Sequence, residues 1–102
     1  MSKDMSTISV PVVIIVFNRA DLTKLLLDKL SQFRLSKLYI IMDGPRDGNV
    51  KDVDERAKII SMLDRIEFAD CVERQIADDN MGIRDRIVSG LNWVFDKEES
   101  AF

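Results

Sequence analysis

Histidine is absent from the 102 residues, and cysteine occurs once, at Cys71. A lone thiol closes no internal disulfide. Without imidazole, the common zinc ligand sets and histidine-based proton transfer are both out of reach. Basic charge is scarce relative to acid: 15 Lys and Arg stand against 18 Asp and Glu, a net charge of −3. No basic stripe for sequence-independent nucleic-acid binding is expected from that balance. Long apolar runs are missing too. The longest, residues 10–17, contains Pro11 and falls far short of the ~20 residues that span a bilayer. The opening MSKDMSTIS has no apolar signal core. Together these absences lead to the expectation of a cytoplasmic protein without a membrane span. Neither a GxxxxGK[ST] phosphate loop nor a GxGxxG turn occurs, which disfavours P-loop hydrolysis and dinucleotide binding of the Rossmann type.

What is present is ordinary for a globular chain: 46% apolar and 32% charged residues, enough for one domain with a modest core. Residues 1–9 read as a flexible leader and 10–102 as one α/β domain. VVIIVF (12–17) and LYIIM (38–42) are continuous apolar runs, the pattern of parallel strands buried on both faces. DCVERQIA (70–77) alternates loosely and reads as a third strand. Between them lie helical spacings: Leu22, Leu26, Leu30 and Phe33, with Asp21 as N-cap; Val53, Ala57, Ile60 and Leu63 over 52–66; and Ile83, Ile87, Leu91, Val94 and Phe95. DGPRDGN (43–49) and DDNMG (78–82) are loops, and DKEES (96–100) reads as a solvated end. The alternation predicts a three-layer α/β/α fold with a mostly parallel, Rossmann-like sheet. Ala101 and Phe102 read as the start of a fourth strand, so the domain is expected to be truncated.

In an open parallel sheet, ligands bind beyond the carboxyl ends of the strands. Those ends carry Asn18 and Arg19, then Asp43, Gly44 and Arg46, then Asp78, Asp79, Asn80 and Gly82, followed by a helix opening with Arg84 and Arg86. Cations beside a helix N-terminus favour an anion, and an aspartate at a strand end can accept bonds from a base or ribose. The set predicts a nucleotide site. Each member also has a structural reading: Arg19 as a partner of Asp21, Asp43 as a turn former, Asp78 and Asp79 as loop-shaping acids rather than a metal pair. Arg84 and Arg86 could form an exposed ion-pair face around Asp85. Cys71 reads as a structural thiol in a strand, and Trp93 as core packing.

PVVIIVFNRADLTKLLLDKL, LYIIMDGPR and DNMGIRDRIVSGLNWVF, in that order, resemble the N-terminal half of GT-A-fold, family 2-like nucleotide-diphospho-sugar glycosyltransferases. The likeness extends to the donor half of N-acetylglucosaminyltransferases that modify mannosyl glycans, and covers about residues 10–96. It implies a sugar-nucleotide donor, often a UDP-sugar, held by Phe17, Asn18 and Arg19, with Asp43 at the base or ribose, Gly82 in the turn before the third helix and Arg84 near the diphosphate. The Mn²⁺ or Mg²⁺ such enzymes use is held by an acidic motif expected beyond Phe102, as are the sugar or glycan acceptor site and any catalytic base. The resemblance thus places no metal ligand and no catalytic residue in this chain, which alone would be inactive. The alternative is a non-catalytic α/β module that binds a nucleotide or a protein and self-associates through an open sheet edge. A sugar nucleotidyltransferase is disfavoured, because FNRAD lacks the glycine-rich turn that grips a triphosphate.

Overall fold

A computed structural model describes residues 6–98. In chain order it runs β1 (Ser6–Ile8), β2 (Val12–Val16), α1 (Ala20–Leu30), β3 (Phe33–Leu35), β4 (Leu38–Met42), α2 (Val50–Leu63), β5 (Val72–Ile76) and α3 (Ile83–Lys97). The main sheet has the order β2–β4–β5, and both pairings are parallel. Its register runs from Val12 opposite Leu38 and Val72 to Val16 opposite Met42 and Ile76. The three strands predicted from apolar runs are therefore the three strands of this sheet.

A smaller parallel pair, β1 with β3, continues the same strand lines toward the amino end. The interruption falls at Pro11, which has no N–H to give to a ladder. Hydrogen bonds carry the lines across the gap: Ser36 N–H to Ile8 O at 3.0 Å, Val12 N–H to Lys37 O at 3.0 Å and Leu38 N–H to Cys71 O at 2.9 Å. Residues 6–8, expected in a flexible leader, instead form β1, because β3 offers their backbone a partner. Residues 1–5 and 99–102, with Ala101 and Phe102, lie outside the described residues. Phe33, expected at the end of the first helical stripe, belongs to β3. The helix closes before it, where Ser31 N–H bonds back to Leu27 O at 2.9 Å. Asp96 and Lys97, expected in a solvated tail, extend α3.

Strand side chains alternate between faces, so β4, wholly buried, feeds two cores. Leu38, Ile40 and Met42 join Ile14, Val16, Leu27, Ile59 and Leu63 in the larger one, with α1 and α2. Tyr39 and Ile41 turn the other way, onto Val94 of α3. Trp93 stands edge-on to Tyr39, with ring centroids 5.4 Å apart. The result is a three-layer α/β/α arrangement.

Each helix is rotated from its expected stripe. In α1, Leu22 is exposed, while Ala20, Thr23 and Leu27 are buried. In α2, Val53 and Ala57 are exposed, while Asp52, Ile59 and Leu63 are buried. In α3, Ile83 and Phe95 are exposed, while Arg86, Gly90 and Val94 are buried. Polar anchors explain the rotation of the last two. Asp52 and Arg86 are drawn inward by the charge partners described below. Gly90 also lets α3 lie directly on β4: a Cβ there would come 2.4 Å from Ile41 Cδ1.

Candidate functional site at the carboxyl edge of the sheet

Because β2, β4 and β5 are parallel, the segments that follow them meet at one edge. Asp43 is at its centre, 1% exposed. Its carboxylate accepts from Gly44 N–H at 3.0 Å, Met81 N–H at 3.0 Å, Gly82 N–H at 3.0 Å, Asn80 Nδ2 at 3.1 Å and Arg86 Nε at 3.1 Å. Burial alone would raise its pKa. The bonds from Met81 N–H, Arg86, Gly44 N–H and Gly82 N–H together outweigh burial and hold the carboxyl below its ordinary value. Asp43 thus supplies from another element the capping oxygens that the start of α3 lacks: Gly82, at the N-cap position, has no side chain to offer. Gly44 is required for this closure. A Cβ at Gly44 would stand 2.6 Å from the backbone of Asp78 and Asp79.

A second buried carboxylate, Asp52, organises the other half of the edge. It accepts from Asn18 Nδ2 at 2.8 Å and from Arg46 at three points: N–H at 3.0 Å, Nε at 2.7 Å and Nη2 at 2.9 Å. The Arg46 guanidinium, then Asn18, hold its pKa well below the carboxylate range, and Arg46 is raised in return. The same guanidinium lies 5.9 Å from the centroid of the Phe17 ring, a cation–π distance. Asn49 caps α2, accepting from Asp52 N–H at 2.9 Å, and so fixes where Asp52 projects.

The structure gathers Phe17, Asn18, Asp43, Arg46, Gly82 and Arg86 at this edge, and adds Asp52 and Arg56. Arg19 stays at the surface, paired with exposed Asp21 at 3.3 Å. Asp21 is not the N-cap of α1. It lies in the first turn, and the Ala20 N–H is capped by Glu55 Oε1 of α2 at 2.8 Å. Arg84 is exposed, and Arg86 is the arginine of that turn which enters the core. Asp78 pairs with Arg56 at 3.0 Å, and among the described residues no cluster of acids, His or Cys could hold a metal ion. Cys71 precedes β5 and is exposed, not a buried strand thiol. Two signals, one for the burial of Arg86 and one for Asp52, are present in the sequence. Arg86, Gly90 and Val94 repeat every four residues, the spacing of a buried helical face. Asn49 stands three residues before Asp52, a capping distance.

Beyond the carboxyl ends of β2 and β4, beside α2, lies a cleft of about 10 Å³, lined by Phe17, Asn18, Asp43, Gly44, Asp52 and Arg56 among others. That is room for one water-sized group. Arg56 donates through Nη2 to Ala77 O at 3.1 Å and Asp78 Oδ1 at 3.0 Å. Its Nε is buried with no partner, a deficit that costs roughly 1–3 kcal/mol.

No family model matches the chain, and no curated protein or solved structure matches it. Among the described residues, no helix is long and apolar enough to cross a membrane.

Proposed function

We propose that the chain is a nucleotide-binding α/β domain that takes a sugar nucleotide of the UDP-sugar type, the donor half of a glycosyltransferase. One observation carries this reading: polar groups from all three strand ends converge on one edge of a parallel sheet, where the crevice of such folds receives ligands. Phe17, Asn18 and Arg46 form one wall. Asp43 and Asp52 hold the loops in place and neutralise the arginines that enter. Arg19, exposed beside the β2 end and paired with the equally exposed Asp21, can meet a phosphate arriving from solvent. Manganese or magnesium, implied for a whole enzyme, finds no ligand set among the described residues, and no step is assigned to it here. The cleft admits one atom at a time, so the nucleotide lies across the edge and not inside a deep pocket.

Titration calorimetry of the full chain with UDP and a UDP-sugar tests the reading. Binding is expected to be weak, and Arg19→Ala to weaken it by roughly tenfold, the worth of one charge-assisted contact. Arg19 holds no buried partner, so this variant leaves the fold intact. Absence of binding by any uridine nucleotide overturns the proposal.

A second reading has its own observation. β2 pairs with β4 alone among the described residues, and Ile15 and Leu22 are exposed beside it. As a protein-interaction module, the chain would join a second copy through that edge. A concentration-dependent dimer on sizing that Ile15→Lys abolishes would favour this reading.

A further inference from the structure

We infer that Arg56 is the residue that reads the bound base at the sheet edge, its Nε–H donating to a carbonyl oxygen. The inference rests on the nucleotide reading above and deepens it. An ionised carboxylate offers about four lone-pair sites. Asp52 already accepts four bonds, two on each oxygen. Asp43 accepts from five donors, spread over both oxygens. Neither keeps an acceptor for a ligand N–H, so neither aspartate reads a base. Among the residues that line the cleft, the group left unspent is a donor, the buried Nε of Arg56. A ligand satisfies it only by bringing an acceptor.

Size narrows the choice. The space of about 10 Å³ admits one heavy atom. A carbonyl oxygen on a flat ring can enter it, as can one oxygen of a phosphate, but not a whole phosphate group. Phe17 lines the same cleft and gives the ring an apolar surface. Charge does not oppose the approach of an oxygen, because Asp43 is paired with Arg86 and Asp52 with Arg46. Arg56 itself is compensated only by Asp78, which is 94% exposed. Its two bonds to protein run through Nη2, so Nε is held in place without being consumed.

Side-chain NMR of the ¹⁵N-arginine-labelled full chain tests this with uridine, adenosine and inorganic diphosphate. Uridine is expected to shift the Arg56 Nε–H resonance downfield. Adenosine, whose base has no carbonyl, and diphosphate are expected to leave it in place. Arg56→Lys keeps the charge and can still reach Ala77 O but lacks Nε–H, so it should lower uridine affinity roughly tenfold with circular dichroism unchanged. Uridine binding with Arg56 Nε–H unmoved overturns the inference and leaves the nucleotide reading standing. A shift by diphosphate or adenosine equal to that by uridine overturns the carbonyl assignment. Failure of every uridine nucleotide to bind overturns both. If Arg56→Lys does not fold, the resonance shift in the unsubstituted chain decides.

Discussion

Five donors from the β4 end, the loop after β5 and α3 converge on the Asp43 carboxylate, so its removal acts on the fold before it acts on any ligand. Asp43→Ala strands the Arg86 guanidinium, whose side chain is 9% exposed, and leaves the start of α3 uncapped. Loss of one partner of a buried pair costs about 3–5 kcal/mol, and an unfolding free energy in urea lowered by that amount is the expected result. A change below about 1 kcal/mol would show that the pair is not a structural hub. Weaker nucleotide binding in this variant would therefore say nothing about a contact between Asp43 and a base. Arg19 and Arg56 are the positions where binding and folding separate. Gly44→Ala is the companion test of the same closure. Its methyl meets backbone, which cannot rotate away, so overpacking of about 1–3 kcal/mol is expected.

At the scale of elements, the buried faces of the helices are set jointly by apolar and polar residues, and this makes a sharp prediction for α2. Ile59 is fully buried and Val53 is 53% exposed, although both lie at plausible helical spacings in the sequence. Ile59→Ala should lower stability by about 2–5 kcal/mol, and Val53→Ala by no more than about 0.5 kcal/mol. Equal costs in urea unfolding would mean that α2 sits on the sheet as the apolar spacing alone predicts. Strand positions were legible because β2 and β4 are unbroken apolar runs, although only β4 is buried on both faces as expected and β2 leaves Ile15 exposed at the sheet edge. Helix existence was legible from periodicity, but helix rotation was not. Asp52 and Arg86 look like solvent-facing charges until their partners, Arg46 and Asp43, are known, and those contacts exist only once β4 has been placed between α2 and α3. The site was legible to the same degree. Strand ends named Asn18 and Asp43 correctly as edge residues, because topology alone puts them there. Whether a carboxylate faces a ligand or a neighbouring loop depends on distances that spacing does not encode. Nothing in the sequence marked Arg56 as holding an unspent donor.

For the molecule as a whole, four of the five carboxylates with depressed pKa values among the described residues share a property: each ties one element to another, while the fifth, Asp21, is held low by its neighbour Arg19. Asp43 joins β4 to the start of α3, Asp52 joins α2 to the turns after β2 and β4, Glu55 joins α2 to the first amide of α1, and Glu98 joins the end of α3 to Tyr39 and Lys37. All four ionise more readily in the folded chain than in the unfolded one, so folding releases protons in acid. Their contribution is complete above about pH 5 and is lost as the pH falls through the carboxyl range and below. On the alkaline side the direction reverses. Burial, then the bond to Glu98 at 2.5 Å, raises the Tyr39 pKa, and the neighbouring Tyr39 and Glu98 raise that of Lys37. The folded chain keeps these protons longer than the unfolded chain, so stability declines as the pH rises past about 10. Between about pH 5 and 8 no histidine titrates, and histidine is the side chain whose ordinary pKa lies there. The urea midpoint measured from about pH 3 to 11 should therefore form a plateau across roughly pH 5–9, with a fall at each end. The acid fall should be the larger, because four inter-element ties are lost together there, against one aromatic clamp in alkali. Glu98→Gln should shorten the alkaline arm while leaving most of the acid arm in place. A midpoint that rises as the pH drops from 5 to 3, or a slope across neutrality, would mean that these carboxylates do not hold the layers together.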